Sequence, residues 1–111
     1  MLQLSFYQRD AETVAKDLLG KTLVVKLDKT EKRSSIVETE AYLGVHDLAS
    51  HASKGITRRT EIMFGEAGRA YIYLIYGMYD MLNVVTGNKD GQAVLIRAVE
   101  PLNFRISRRA L

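Results

Sequence analysis

Two glutamates interrupt an otherwise apolar, strand-like run, residues 36–44, which reads Ile-Val-Glu-Thr-Glu-Ala-Tyr-Leu-Gly. Burying an unpaired carboxylate is costly, so a fold of this chain must keep one face of that strand polar or give the carboxylates partners. A second run, residues 70–79, sets tyrosines among aliphatic residues. Aromatic rings beside a carboxylate indicate a pocket that stacks a flat ligand and performs proton chemistry on it.

The composition restricts the class of protein. The chain has 111 residues, 47% of them apolar and 26% charged, which predicts one globular domain over residues 1–111. The absence of cysteine excludes disulfides, thiolate zinc sites, iron–sulfur clusters and cysteine nucleophiles. The lack of cysteine fits a cytoplasmic protein, nucleoid-associated if its source is bacterial. No apolar run approaches the ~18 residues of a membrane helix, so we expect no membrane partner. A net charge of +3 is compatible with a polyanionic partner.

The order of patterns predicts an α+β fold: a single domain with a curved, mainly antiparallel sheet and a few short helices. Asp10 as N-cap and Gly20 as the stop predict a helix over 11–19, whose apolar stripe includes Leu19. The predicted strands cover 22–27, 35–42, 70–76, 82–86 and 92–99. The predicted connections include a polar turn over 28–33, a turn over 65–68 and a hairpin turn over 87–91.

Side chains of a strand alternate between its two faces. The spacing therefore predicts one face with Ile36, Glu38, Glu40 and Tyr42. A partly desolvated Glu40 could act as a general base. The alternative is an ordinary surface glutamate on a solvated strand face, since half-exposed strands alternate apolar and polar residues.

Several flat or polar side chains are candidates for ligand contacts. Tyr42, Tyr73 and His51 could sandwich a base, or the tyrosines could simply pack on the sheet. Tyr76 precedes Gly77 at the end of a predicted strand, where a side chain can project as a wedge between base pairs or pack against the turn.

Two polar residues, Asn83 and Arg97, stand inside apolar strands. Each faces solvent or, if buried, needs partners, among which a polar ligand or phosphate is an option. A metal-dependent hydrolase is a further alternative, with ligands drawn from Glu38, Glu40, His46 and His51. Their spacing matches no compact zinc motif, so we expect neither a metal nor a cofactor.

Several separate motifs carry a resemblance to a known family. They are Val-Glu-Thr-Glu-Ala-Tyr-Leu-Gly at 37–44, Ser-His at 50–51, Met-Phe at 63–64, Tyr-Ile-Tyr-Leu-Ile-Tyr-Gly-Met at 71–78, Leu-Asn-Val-Val at 82–85 and Ala-Val-Leu-Ile-Arg-Ala-Val-Glu-Pro at 93–101. In order and spacing the chain resembles the alkyladenine (3-methyladenine) DNA glycosylases from about Phe6 to Pro101. The resemblance implies a monofunctional enzyme of base excision repair that flips a damaged purine out of double-stranded DNA and hydrolyses its N-glycosidic bond.

The resemblance also implies roles for individual residues. It makes Glu40 the catalytic glutamate, with Arg97 near this base and its water. The other implied positions are the stacking residues Tyr42, His51 and Tyr73, the pocket residue Asn83, and the DNA-inserting Tyr76 with Met78 beside it. Lys54, Arg58 and Arg59 would contact phosphates without reading sequence.

The chemistry of these residue types agrees with that reaction. Cleavage of an N-glycosidic bond passes through an oxocarbenium-like sugar, which a carboxylate stabilises while accepting a proton from the attacking water. Family members run to around twice this length, so the resemblance also implies a chain without the usual C-terminal part. The alternative function is a catalytically impaired DNA-binding fragment of that family. Neither alternative requires a protein partner.

Overall fold

The computed structural model describes residues 1–44, 61–75 and 79–105. Among them are two helices, α1 (Leu4–Tyr7) and α2 (Ala11–Leu18), and a 3₁₀ helix, Glu61–Phe64. The strands are β1 (Thr22–Leu27), β2 (Thr30–Leu43), β3 (Ala70–Ile75), β4 (Tyr79–Val85) and β5 (Gln92–Pro101). No helix within these residues is long and apolar enough to cross a membrane.

The strands form one sheet in the order β1-β2-β5-β4-β3, and each neighbouring pair is antiparallel. The sheet curls, and the few helices are short, so the predicted α+β fold class is confirmed. Two hairpins, β1–β2 and β3–β4, are joined through β5, which lies in the middle of the sheet. The long strand β2 pairs with β1 through residues 30–35 and with β5 through residues 34–43.

A side-chain cap sets the start of helix α2, and a glycine with positive φ follows its end. The side chain of Asp10 accepts a hydrogen bond from the Thr13 amide at 3.0 Å, which satisfies one of the free N–H groups of the first turn. This hydrogen bond lowers the pKa of the Asp10 carboxyl. At the other end Gly20 takes a φ of +86° and donates its N–H to the Ile36 carbonyl at 2.8 Å. Leu19 lies beyond the helix and is exposed, so its predicted place in the apolar stripe is wrong.

The main core lies between α2 and one face of the sheet, which we call the α2 face. Helix α2 contributes Ala11, Val14, Ala15 and Leu18, and the sheet contributes Ile36 and Val94. All six are buried, and the burial of such aliphatic side chains supplies most of the stability of a small domain.

Strand β2 begins earlier than the sequence predicted. The polar segment 28–33 was expected to be a turn, but only Asp28 and Lys29 separate the strands, and Asp28 adopts a φ of +54°. The charged residues that follow pair with β1 at the tip of a two-stranded ribbon. There Oε1 of Glu31 lies 4.0 Å from Nζ of Lys26. Because both faces of such a tip reach solvent, charge does not interrupt the strand.

The remaining connections follow the predicted pattern in part. The turn after β4 is present, with Lys89 at a φ of +59° between Gly87 and Gly91. Helix α1 and the 3₁₀ helix were not predicted. Helix α1 is one turn long, and its last residue, Tyr7, accepts a hydrogen bond at its carbonyl from the Gly87 amide at 3.0 Å.

Candidate active site

An irregularity in the pairing of β2 with β5 decides which side chains reach the site. Ile36 pairs with Val99, Glu38 pairs with Ala98, and Thr39 pairs with Ile96, so the register shifts twice within a few residues. Such an irregularity changes which face successive side chains occupy.

The consequence is visible on both faces of β2. Ile36 is buried in the core against α2, and the Thr39 hydroxyl donates to the Ala15 carbonyl of α2 at 2.8 Å. The predicted common face of Ile36 with the glutamates and Tyr42 is therefore wrong. Glu38, Glu40 and Tyr42 do share a face, the one turned away from α2, as their mutual contacts show. We call it the glutamate face.

Glu40 has a donor on each of its carboxylate oxygens. The Tyr42 hydroxyl donates to Oε1 at 2.8 Å, and Nη1 of Arg97 donates to Oε2 at 3.1 Å. The Glu40 side chain retains 40% of its exposure, so water can reach the carboxylate between these partners. The two contacts fix the orientation of the Glu40 carboxylate and leave it partly exposed to solvent.

Arg97 also contacts the second glutamate. Its Nε lies 3.6 Å from Oε2 of Glu38, so one guanidinium serves two carboxylates. Two negative groups against one positive group leave the cluster with net negative charge. Such a cluster favours a cation that approaches it.

A row of cross-strand partners runs from this cluster across the sheet. Glu40 pairs with Leu95 of β5, Leu95 pairs with Asn83 of β4, and Asn83 pairs with Tyr71 of β3. Directly paired residues of antiparallel strands lie on the same face. Asn83 therefore belongs to the glutamate face, two strand spacings or about 10 Å from Glu40.

Buried side chains, most of them apolar, lie in and beside this row. Leu95 and Asn83 are buried, at 3% and 5% exposure. The 3₁₀ helix places Met63 against Ala93, the cross-strand partner of Tyr42, and Tyr71 packs against the same cluster. The polar groups thus stand beside a desolvated surface, the arrangement typical of sites that bind a mostly apolar ring with a few polar contacts.

The structure brings together four of the predicted site residues on one face: Glu40, Arg97, Tyr42 and Asn83. Tyr73 lies in β3 opposite Met81, and its side chain is outside the described part. The other predicted residues also lie outside the described ranges: His51, Lys54, Arg58, Arg59, Tyr76 and Met78.

Sequence reasoning missed the contact between Glu38 and Arg97 and the place of Leu95 between Glu40 and Asn83. The first was hidden because Glu38 and Arg97 are remote in sequence, and only the pairing of β2 with β5 makes them neighbours. The second required the register of β2, β5 and β4, which was not predicted from the sequence.

The metal alternative finds no support among the described residues. Within 1–44, 61–75 and 79–105 no three His, Asp or Glu side chains are grouped as metal ligands. His46 and His51, which that alternative also used, lie outside these ranges.

The α2 face has a different character. A groove of about 650 Å³ opens there, lined by apolar side chains that include Leu18, Leu23, Ile36 and Ile96. None of Glu38, Glu40, Tyr42 and Arg97 lines it, whereas Asn83 borders it together with its neighbours Leu82 and Val84. The groove and the glutamate cluster therefore lie on opposite sides of the sheet.

Comparison with known proteins identifies the family. The model of the methylpurine-DNA glycosylase family matches residues 5–110. The chain belongs to this family. The match is longer than the span from Phe6 to Pro101 that the motifs alone indicated.

Curated relatives agree with the family. The chain is 62% identical over 98 residues to a protein of Legionella pneumophila (strain Lens), 60% over 99 residues to one of Myxococcus xanthus and 58% over 104 residues to one of Methanocella arvoryzae. These matches cover 87%, 88% and 92% of this chain and 54%, 51% and 52% of the relatives. Each relative is named "Putative 3-methyladenine DNA glycosylase". The chain thus spans about half the length of the curated relatives it matches.

Proposed function

We propose that this chain is a monofunctional DNA glycosylase of base excision repair, which flips 3-methyladenine-like or deaminated purines out of double-stranded DNA and excises them by hydrolysis. The observation that carries the proposal is the Glu40 carboxylate, oriented by Tyr42 and Arg97 on a sheet face shared with Asn83. Family membership and the names of the relatives support the same reaction.

The reaction assigns two tasks to Glu40. As the bond between C1′ and the purine nitrogen breaks, the purine leaves with the electron pair and the sugar becomes oxocarbenium-like. The Glu40 carboxylate, which Arg97 contacts on one oxygen, stabilises this positive charge. Water then adds to C1′, and Glu40 accepts the proton that the water loses.

The other residues hold this geometry and select the base. The Tyr42 hydroxyl and Arg97 fix the carboxylate plane, so that an oxygen stays directed at the water. Asn83, about 10 Å across the sheet, would contact the edge of the extruded base. A cationic alkylated purine is attracted to the faces of Tyr42, His51 and Tyr73 more strongly than a neutral base is.

Extrusion of the base has its own requirements. Unstacking costs a few kcal/mol, less for a damaged or mispaired base, and this difference adds selectivity. Tyr76, with Met78 beside it, would fill the vacated space, and Lys54, Arg58 and Arg59 would contact phosphates. Binding to duplex DNA should accordingly weaken as salt rises. A cytoplasmic location and the absence of a metal, a cofactor and an obligatory protein partner belong to the same proposal.

The test is an excision assay with a duplex that contains one hypoxanthine or one alkylated purine, followed by alkali to cleave abasic sites. The parent chain should produce strand cleavage. Glu40→Gln should lower the rate by about 10²–10⁴-fold, the contribution of a general base. The matched control is Glu12→Gln, which removes an exposed ion pair with Lys16 on α2 and should excise like the parent. A parental rate in Glu40→Gln would contradict the role of Glu40.

The second candidate function is a DNA-binding fragment without catalysis. The observation that favours it is that the chain spans about half the length of its relatives. In that case the parent chain binds lesion duplexes in a salt-dependent manner but yields no abasic sites, even at a large excess of protein.

A further inference from the structure

We propose that Glu38 is a positioning residue for the reaction, which holds the Arg97 guanidinium through Nε while Nη1 of Arg97 remains on Glu40. The inference rests on the proposed function, because it concerns how the catalytic carboxylate is held. It starts from geometry alone: the 3.6 Å contact of Glu38 Oε2 with Nε and the 3.1 Å contact of Glu40 Oε2 with Nη1.

The backbone gives Glu38 this position through the irregular pairing. The interrupted register between Ile36 and Thr39 puts Ile36 in the core and Glu38 on the face of Glu40 and Arg97. A register irregularity leaves part of the hydrogen-bond ladder unmade, and such features are found beside active sites, where they aim a side chain.

Arg97 needs a second anchor because it is long and its side chain is 61% exposed. With a single contact, the guanidinium could rotate away from Glu40 or move to a DNA phosphate, which binds arginine strongly. A carboxylate 3.6 Å from Nε attracts the guanidinium electrostatically and limits its rotation, which leaves Nη1 directed at Glu40. Glu38 also offsets the positive charge that Arg97 places beside Glu40, which keeps the cluster favourable to the cationic sugar.

Exposed ion pairs contribute little to folding stability, so loss of Glu38 should leave the fold intact. The matched control is Glu31→Gln, because Glu31 lies on the same strand and pairs with Arg33 at 2.8 Å at the ribbon tip, away from the site. Each variant removes the carboxylate charge of one β2 glutamate that pairs with an arginine: Glu38 pairs across to β5, and Glu31 pairs within β2, with Lys26 also 4.0 Å away. Only Glu38→Gln should alter the reaction.

The kinetic experiment measures single-turnover excision and duplex affinity separately. Glu38→Gln should lower the excision rate about three- to five-fold, the effect of one exposed ion pair, with the dissociation constant for the duplex unchanged. In an Arg97→Ala background, Glu38→Gln should cause no further loss, because Glu38 acts through Arg97. An unchanged rate in the single variant, a change confined to affinity, or full additivity in the double variant would each overturn the inference.

A spectroscopic measurement distinguishes this failure from failure of the proposed function. The Nε–Hε resonance of Arg97 can be assigned by its disappearance in Arg97→Lys. It should shift in Glu38→Gln and stay in place in Glu31→Gln. An unmoved resonance in Glu38→Gln would overturn the contact itself, whatever the activity. Absence of excision by the parent chain would overturn the proposed function, and with it the catalytic purpose of the contact.

Discussion

Strand β2 contributes to two faces of the sheet that differ in almost every physical respect. On the α2 face, Ile36 and Ala41 pack against an aliphatic core, and Thr39 makes a neutral hydrogen bond to the helix. On the glutamate face, Glu38, Glu40 and Tyr42 make charged or charge-assisted contacts and remain partly exposed. The difference teaches that one strand can carry an aliphatic core on one side and a charged, partly exposed cluster on the other.

The two faces can coexist because the register of β2 is interrupted around Val37. In a strictly alternating strand, the side chain of Glu40 would lie on the same face as Ile36, which is in the core. Burial of that carboxylate without a partner would cost several kcal/mol. The irregular pairing sends the aliphatic residue inward and the carboxylates outward.

The largest effect expected from this comparison is on folding. Leu18→Ala removes a side chain that is 4% exposed in the core and should lower the free energy of unfolding by about 2–5 kcal/mol. The matched control is Leu19→Ala, one residue further, where the side chain is 47% exposed and the change should stay within about 0.5 kcal/mol. Urea unfolding measures both. Equal losses of unfolding free energy in the two variants would contradict the contrast between the buried Leu18 and the exposed Leu19.

A smaller effect is expected on the glutamate face, and on activity instead of stability. Tyr42→Phe removes the hydroxyl that donates to Glu40 and should lower the excision rate about ten-fold, with little change in unfolding. Tyr7→Phe is the control, since this ring packs edge-on against Phe6 beside the α2 core. A loss of stability in Tyr42→Phe that equals its loss of activity would show that the two faces are not separate.

The smallest effect concerns the cap of α2 and its dependence on pH. The Thr13 amide lowers the pKa of Asp10 in the folded chain, so Asp10 contributes stability above the ordinary aspartate pKa, and the contribution is lost as pH falls through the lowered value. Asparagine caps a helix comparably but does not titrate. Asp10→Asn should therefore match the parent near neutral pH and lose less stability from about pH 4 downward. Parallel curves for the two proteins across that range would contradict this role.

Much of the fold follows from local pattern. The bounds of β1 were predicted correctly, and Asp10 acts as the N-cap of α2 as its position indicated. The start of β2 at Thr30 was missed because a charged ribbon tip and a polar turn have the same composition. Helix α1 was missed because it is a single turn held by distant groups, such as the Gly87 amide on the Tyr7 carbonyl.

The site residues were indicated by family motifs, whereas strand alternation assigned one residue to the wrong face. Family motifs pointed to Glu40, Tyr42, Asn83 and Arg97, and the structure places these on one face. Alternation alone assigned Ile36 to that face wrongly, because the register is interrupted between Ile36 and Thr39 and a strict period of two does not allow for such an interruption. The Glu38–Arg97 contact was hidden for the same reason: it depends on how β2 and β5 align.

The central claim is that DNA binds on the glutamate face, beside the proposed catalytic residues. The most direct test is an amide chemical-shift map of the parent chain, titrated with a duplex that carries an abasic-site analogue. We expect the largest changes at Glu38, Glu40, Tyr42 and Arg97, while Val14 and Leu18 of α2 stay in place. Changes concentrated along the α2 groove, with the glutamate cluster unmoved, would contradict the assignment of DNA and chemistry to that face.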